Sequence, residues 1–230
     1  MTSEAGRLIA DSVELTYRAG SAPVHALRGV SLDLGPGAFV ALVGPSGSGK
    51  TSLLHCFGGL QSPTAGEVRW DGRRLSSLEL PSRIGVRGAS FAYVFQGGNL
   101  MPTFTAAENV AFAALVSGRP DAVHPQGLLD GVGLAAKAEA LPDELSGGEQ
   151  QRVAMVRALA QGARVLLADE PTGQLDSTNA KVVLDLIDRV RIEHPDLIVV
   201  LATHDATVAQ RAERSIEIVD GRLVEKASRR

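Results

Sequence analysis

The sequence predicts an α/β fold in which a parallel sheet is accompanied by an N-terminal antiparallel β-subdomain and an inserted α-helical subdomain. Three short apolar runs are continuous rather than alternating, as expected for strands buried on both faces; they are Phe39–Val43, Val165–Ala168 and Ile198–Ala202. Helices are predicted over 49–60, 149–160 and 177–193. Strands that alternate with helices are typical of a parallel α/β sheet.

Local patterns refine this prediction at both ends of the chain. Ser177 is expected to cap the last of these helices, which ends before Pro195. Near the N-terminus, apolar residues recur at every second position, which predicts an antiparallel sheet; they are Val13, Leu15 and Tyr17, then Val30, Leu32 and Leu34. Trp70 lies in a predicted hairpin, and we expect it to be exposed.

The middle of the chain predicts a helical insertion. From about Thr103 to Arg157 the sequence is rich in Ala and Leu and poor in strand patterns, and Pro120 and Pro125 indicate a loop. We therefore predict a single domain over 1–230. Its core, with the β-subdomain, covers approximately 1–96 and 158–230, and its helical subdomain covers approximately 97–157.

Composition excludes several classes of protein. The chain has 230 residues and 44% hydrophobic residues, enough for a sizeable core, and its net charge of −3 is not that of a strongly basic nucleic-acid binder. The only cysteine, Cys56, excludes an internal disulfide or cysteine-zinc framework, and we expect it to be buried. No apolar run reaches the roughly 18 residues of a membrane span. The segment Met1–Arg7 lacks the features of a signal peptide, so we expect a cytoplasmic protein.

A phosphate-binding loop follows the first parallel strand directly. Gly44, Pro45, Ser46, Gly47, Ser48, Gly49, Lys50 and Thr51 match the pattern G-x-x-x-x-G-K-[S/T], between a predicted strand and a predicted helix. The glycines let backbone N–H groups surround a phosphate, and the helix N-terminus adds partial positive charge. Lys50 is expected to reach the terminal phosphates, and Thr51 offers a hydroxyl to Mg²⁺. The sequence thus predicts a nucleotide site of the P-loop NTPase type.

Two carboxylates follow the second parallel strand, where such a site requires one. We expect Asp169 to hold Mg²⁺ through water and Glu170 to polarise the water that attacks the γ-phosphate. The plainer interpretation is a solvated acidic turn before Pro171. The P-loop favours the catalytic interpretation.

The stretch Leu145–Arg152, Leu-Ser-Gly-Gly-Glu-Gln-Gln-Arg, resembles the signature motif of ATP-binding cassette (ABC) ATPases. The resemblance covers nearly the whole chain in the family's order: Gln96 matches the Q-loop glutamine, Gln174-Leu175-Asp176 the D-loop, and His204 the switch histidine. Tyr17 falls where the family places an aromatic residue that stacks on adenine. The resemblance implies a RecA-like P-loop core.

The resemblance also implies how the chain works. In this family the signature of one subunit closes over the γ-phosphate held by another, which implies a head-to-tail homodimer with two ATP molecules and Mg²⁺. Catalytic roles fall to Gln96, Glu170 and His204, with Gln96 touching Mg²⁺ or the attacking water. Further nucleotide contacts fall to Ser146, Gly147, Gly148, Glu149 and Asp176.

Two residues depart from the family's usual pattern. Glu149 stands where many members carry glutamine, and Gln174 stands where a small residue or asparagine is usual. Neither change removes a hydrogen-bond donor to a phosphate. Because Glu170 is intact, we expect a hydrolysing cassette.

We interpret the chain as an ATPase subunit that drives separate polytopic membrane permease subunits from the cytoplasmic face of the membrane. The helical insertion and residues 97–109 are expected to dock on them. Asn99–Thr105, Glu108–Val110 and Ala168–Gly173 resemble the branch that includes lipoprotein release, macrolide and antimicrobial-peptide export, and cell division. Export or extraction from the membrane is the expected direction.

Two other functions use the same ATP site. A soluble ABC ATPase acting on nucleic acid or ribosomes usually has tandem cassettes, a long coiled-coil insertion or zinc modules, and this sequence shows none of them. Its net charge gives no strong phosphate-backbone footprint, so no nucleic-acid partner is expected. A P-loop kinase would leave the signature and the D-loop without a task.

Overall fold

The computed structural model describes residues 4–19, 22–173 and 175–224. The strands in these ranges are β1 (Leu8–Ala19), β2 (Ala22–Leu34), β3 (Phe39–Val43), β4 (Ala65–Trp70), β5 (Arg73–Arg74), β6 (Phe91–Val94), β7 (Val165–Asp169), β8 (Ile198–Thr203), β9 (Arg214–Val219) and β10 (Arg222–Val224). The helices are α1 (Lys50–Phe57), α2 (Leu80–Ser90), α3 (Ala106–Val116), α4 (Pro125–Asp130), α5 (Gly147–Ala160), α6 (Ser177–Glu193) and α7 (Ala206–Ala209). The described residues form two compact units, one within 1–87 and 198–230, the other within 88–197.

The first unit contains the antiparallel sheet, with strand order β2-β1-β4-β5. Val13 and Val30 are paired across β1 and β2, and both are buried. In a regular strand, Ala10 and Val13 would point to opposite faces, because they are three positions apart. A register shift between them brings both side chains to the buried face. The prediction for Trp70 is wrong: it is 3% exposed, because it shares the inner face of β4 with Val68.

The first unit also contains parallel strands that end beside the phosphate-binding loop. β3 pairs in parallel with β8 on one side and β9 on the other, and β10 pairs antiparallel with β9. Residues 39–42 of β3 are buried, as the continuous apolar run predicts. Val43 pairs with Thr203, so the segments after β3 and β8 leave the sheet at the same edge.

The second unit pairs β6 with β7 in parallel and places Val94 opposite Ala168. Its helices supply buried apolar residues, among them Val110 of α3 and Met155 of α5. Pro125 does not lie in a loop as predicted; it begins α4, where its missing N–H leaves no hydrogen bond unmade. This unit contains β6, β7 and α6 besides the segment 97–157. The predicted subdomain boundaries stay a prediction.

Cys56 on α1 is buried, as expected, and burial raises the pKa of its thiol to about 12. The thiolate is the reactive form of cysteine. We therefore expect the native chain to react with a disulfide reagent at neutral pH on the order of a hundredfold more slowly than the guanidinium-unfolded chain. The absorbance of released thiol measures both rates, and equal rates would contradict the burial of Cys56.

Candidate functional site

The phosphate-binding loop joins the end of β3 to the start of α1. Gly44, Gly47 and Gly49 all have positive φ, at 156°, 78° and 110°. Helix α1 begins at Lys50, and its N-cap residue Gly49 provides no side-chain hydrogen bond. Since the first N–H groups of a helix have no acceptor within the helix, those of α1 are available to an anion.

Backbone packs against two of these glycines. A Cβ atom on Gly44 would lie 2.3 Å from the carbonyl oxygen of Ile218, and one on Gly49 would lie 2.5 Å from that of Ala26. The loop is fixed from the same side, because the Gly221 N–H donates to the carbonyl oxygen of Ser48 at 2.9 Å. Glycine is therefore required at positions 44 and 49 by close approach as well as by backbone conformation.

Two polar side chains of the loop fit a phosphate. The Nζ of Lys50 donates to the carbonyl oxygens of Gly44 at 2.7 Å and Pro45 at 3.0 Å, and this side chain is buried. The Oγ of Ser48 is buried and has no hydrogen-bond partner among the described residues. An ammonium group held over the loop and a buried hydroxyl without a partner match the acceptors of a phosphate. Thr51, in the first turn of α1, is exposed.

Tyr17 and His204 lie in the same unit as this loop. The Tyr17 hydroxyl is 3.4 Å from the Oγ of Ser52 in α1, and the side chain is 38% exposed, which leaves the ring accessible for stacking. His204 is exposed and directly follows Thr203, the partner of Val43. It therefore leaves the sheet beside the start of the phosphate-binding loop.

The second unit carries the predicted carboxylates at the end of β7. Asp169 is buried and Glu170 half-buried. Glu170 has φ 48°, in the left-handed region that few residues other than glycine adopt. Its carbonyl oxygen accepts a hydrogen bond from the Gly173 N–H at 3.1 Å, so a tight turn sets its direction. Gln96 is exposed two residues after β6, the parallel neighbour of β7.

The predicted signature forms the start of α5. Ser146 is the N-cap: its Oγ accepts from the Glu149 N–H at 3.3 Å, while Glu149 Oε2 accepts from the Ser146 N–H at 2.8 Å and Oγ–H at 2.9 Å. The hydrogen bonds from Ser146 lower the pKa of Glu149, with smaller contributions from Lys137 and Arg152. This capping box uses the N–H of Glu149 and leaves those of Gly147 and Gly148 at the helix start.

The D-loop leads into α6, and its first residue, Gln174, lies outside the described residues. The N-cap of α6 is Asp176, not Ser177 as predicted, because Asp176 Oδ1 accepts from the Asn179 N–H at 2.8 Å. The Nδ2 of Asn179 donates to Oδ2 at 2.9 Å. These two bonds lower the pKa of the Asp176 carboxyl group, with smaller contributions from Thr178 and Arg152.

The structure also shows polar residues that the motif analysis did not select. Arg157 of α5 donates to the carbonyl oxygens of Asn99 at 2.8 Å and Gly98 at 3.2 Å, in the loop after β6, and burial lowers its pKa. The buried Asn109 accepts from the Met101 N–H at 2.9 Å and donates to the carbonyl oxygens of Met101, Phe104 and Thr105. In the sequence, the sign of this role is an asparagine within a helix that is apolar after its first turn.

The predicted site residues therefore lie in two groups. One unit holds Tyr17, the loop 44–51 and His204, and the other holds Gln96, Ser146, Gly147, Gly148, Glu149, Asp169, Glu170 and Asp176.

A family model described as ABC transporter matches residues 27–173. The chain belongs to the ABC transporter family. The predicted family is thus confirmed.

Curated relatives of this ABC chain are bacterial export and release proteins. It is 40% identical to the lipoprotein-releasing system ATP-binding protein LolD 1 of Rhodopirellula baltica, over 95% of this chain and 96% of that protein. It is 42% identical to the pyoverdine export ATP-binding/permease protein PvdT of Pseudomonas fluorescens and to the macrolide export ATP-binding/permease protein MacB of Marinobacter nauticus, over 94% and 91% of this chain. The chain spans about a third of the length of those two proteins.

Solved structures support the same fold. The ATP-binding cassette MJ0796, in a dimeric post-hydrolysis state bound to ADP and Pi, has a TM-score of 0.89 and 35% identity to this chain, over 97% of this chain and 99% of that one. A second dimeric structure of MJ0796 has a TM-score of 0.88. The predicted fold, a P-loop core with an antiparallel β-subdomain and a helical insertion, is confirmed.

We expect Gly49→Ala to destabilise the chain more than a matched glycine substitution. Gly29 also has positive φ, at 78°, but a Cβ atom there meets nothing within 4 Å, so Gly29→Ala should cost only the backbone strain of about 1 kcal/mol. Gly49→Ala adds the clash with Ala26 and should cost about 2 to 4 kcal/mol. Urea unfolding measures both, and equal losses would contradict the close approach at Gly49.

Proposed function

We propose that this ABC chain binds and hydrolyses ATP as the nucleotide-binding subunit of an exporter. The observation that carries the proposal is the phosphate-binding loop, with its uncapped helix, the Lys50 ammonium and the partnerless hydroxyl of Ser48. The predicted ATP binding is supported by family membership and by the ADP-bound state of MJ0796. The relatives named as ATP-binding components of export and release systems support the transport role.

Nucleotide binding falls to the residues of the first unit. The N–H groups of the loop 44–49 and of the start of α1 surround the phosphates, and the Lys50 ammonium turns from the carbonyl oxygens of Gly44 and Pro45 to the terminal phosphates. Tyr17 offers its accessible ring to the adenine.

A magnesium ion fits the donors that this chain provides. Mg²⁺ in nucleotide sites is usually held by one or two protein oxygens together with phosphate oxygens and water. Thr51 offers a hydroxyl, Asp169 a buried carboxylate that acts through water, and Gln96 an amide oxygen. When bound, Mg²⁺ would neutralise charge on the transferred phosphoryl group.

Hydrolysis falls to Glu170, with His204 and Gln96 as further contacts to the γ-phosphate and the attacking water. The Glu170 carboxylate accepts a hydrogen bond from the water and takes up its proton as the water oxygen bonds to the γ-phosphorus. The bond from that phosphorus to the β–γ bridging oxygen breaks, and ADP and phosphate are the products. The left-handed backbone and the bond from Gly173 fix the backbone from which the Glu170 carboxylate extends.

The working unit in this proposal is a dimer of two copies that share two ATP molecules. Ser146, Gly147, Gly148 and Glu149 offer the start of α5 to the γ-phosphate held by the second copy, and Asp176 approaches the same interface. The MJ0796 structures support this arrangement, since both are dimeric and match 97% of this chain. Two-fold symmetry makes the two sites equivalent.

The dimer would act on polytopic membrane permease subunits, at the cytoplasmic face of the membrane. No helix within the described residues is long and apolar enough to span a bilayer. ATP would drive the permease by closing the dimer, and hydrolysis by reopening it, because a ligand shifts an equilibrium through its different affinity for the two states. The proposed direction of transport is export or extraction from the membrane, in keeping with the names of the relatives. None of these relatives is named for an action on nucleic acid.

We expect Glu170→Gln to retain ATP affinity, lose at least about 99% of turnover, and accumulate an ATP-dependent dimer, because the amide keeps the shape of the base but cannot take a proton. Phosphate release, calorimetry and light scattering measure the three effects. The control is Glu139→Gln, an exposed glutamate remote from the motifs, which should match the parent. Excess chelator should stop parental turnover if Mg²⁺ is required. Normal turnover by Glu170→Gln would remove Glu170 from catalysis.

The transport role predicts a membrane partner. When the tagged chain is purified from its own membranes in detergent, we expect a stoichiometric polytopic protein to co-elute and the eluate to hydrolyse ATP faster than the isolated chain. Mass spectrometry and a phosphate-release assay measure this. Co-elution of ribosomes or nucleic acid without a membrane protein would favour the soluble alternative.

A further inference from the structure

Two motifs of the second unit are joined by hydrogen bonds that the sequence motifs do not reveal. Arg152 lies two turns into α5, the helix that begins at the signature, and Asn179 lies in the first turn of α6, after the D-loop. The Nη1 of Arg152 donates to Asn179 Oδ1. Asn179 in turn donates its N–H and its Nδ2 to the two carboxylate oxygens of Asp176. One asparagine thus joins the signature helix to the D-loop aspartate.

Charge on both sides fixes the orientation of the Asn179 amide. Its oxygen faces the guanidinium of Arg152, and its NH₂ group faces the carboxylate of Asp176. Rotating the amide by a half turn would place NH₂ against the cation and oxygen against the anion, losing both bonds. Because Arg152 is buried, its charge-assisted bond to Asn179 is shielded from competing water, whereas the bonds to Asp176 are exposed.

Apolar packing links the same two segments. A Cβ atom built on Gly148 of the signature would lie 3.2 Å from the Cδ2 of Leu175 in the D-loop. The D-loop leucine therefore packs against a signature glycine, close to the chain of hydrogen bonds. The positive charge of Arg152 also contributes, after the hydrogen bonds from Ser146 and Asn179, to the lowered pKa values of Glu149 and Asp176.

We propose that Asn179 is a positioning residue, which holds the D-loop against the signature helix so that both motifs meet the second copy as one preformed surface. This inference rests on the proposed function, because it assumes the ATP-dependent dimer. A surface ordered in advance binds its partner without the cost of ordering it then. Loss of Asn179 should therefore weaken dimer closure and leave ATP binding by a single copy intact.

The test uses Asn179→Asp in the Glu170→Gln background. Aspartate keeps the size of the side chain and the acceptor for Arg152, but it places a second carboxylate against Asp176. We expect the ATP concentration for half-maximal dimer formation to rise about tenfold, since the bond from the NH₂ group to Asp176 is replaced by repulsion between two carboxylates. ATP affinity at protein concentrations below dimerisation should stay within about twofold. Light scattering and calorimetry measure the two quantities.

A charge exchange supplies the rescue. In the double variant Asp176→Asn with Asn179→Asp, the introduced amide donates to the introduced carboxylate, Arg152 keeps its acceptor, and asparagine still caps α6. We expect the double variant to recover at least half of the dimer affinity that Asn179→Asp loses, on a logarithmic scale. Its dimer affinity should also exceed that of the single variant Asp176→Asn. Glu193→Gln, an exposed change at the far end of α6, is the control.

Three results would overturn the proposal: an unchanged dimer midpoint for Asn179→Asp, a midpoint shift matched by an equal loss of ATP affinity or of melting temperature, or no rescue by the exchange. Failure of the proposed function looks different. In that case the Glu170→Gln parent itself forms no ATP-dependent dimer, whatever residue stands at 179.

Discussion

Helix α1 begins without a side-chain cap, and the phosphate site depends on that. Thr105, Ser146 and Asp176 each cap the helix that follows them with a side-chain oxygen, whereas Gly49 has no side chain to offer. An oxygen at Gly49 would occupy the N–H groups that a phosphate needs and would collide with the carbonyl oxygen of Ala26. The loop thus combines a helix start without a side-chain cap with close backbone packing, and the Lys50 ammonium supplies positive charge.

Helix α5 is hydrogen-bonded to the segments that follow both parallel strands of the second unit. Its residues reach two segments: Gln151 and Arg157 donate to carbonyl oxygens of the loop after β6, and Arg152 donates to Asn179 after β7. Gln151 and Arg152 are buried and Arg157 is half-buried, so a lost hydrogen-bond partner is costly. A displacement of α5 must therefore either break these bonds or carry both segments with it. The helix that starts at the signature is in this sense a mechanical support for both segments.

Motifs made of neighbouring residues could be predicted, and contacts between distant residues could not. The loop 44–51 follows from spacing alone, because backbone geometry over a few residues determines it. Trp70 was misplaced because the alternation of β4 did not show which face is buried. The predicted cap of α6 is one residue too late, because Ser and Asp both cap helices and Asp176 directly precedes Ser177. Asn109 lies in a stretch that resembles one branch of the family, but the hydrogen bonds of its side chain, like those of Asn179, are made to groups that only the folded chain brings near.

Glu149 shows how the chain accommodates a departure from the family's pattern. A carboxylate in place of an amide adds negative charge at the end of α5 where a phosphate is expected to approach, and like charges repel. Here both hydrogen-bond donors of Ser146 meet Oε2, so the carboxylate is turned back onto its own cap. Lys137 and Arg152 supply positive charge nearby, and the partial positive charge of the helix start acts in the same direction. Positive charge within the chain therefore offsets part of the Glu149 charge, and we expect glutamate at this position to leave the N–H groups of Gly147 and Gly148 accessible to an anion.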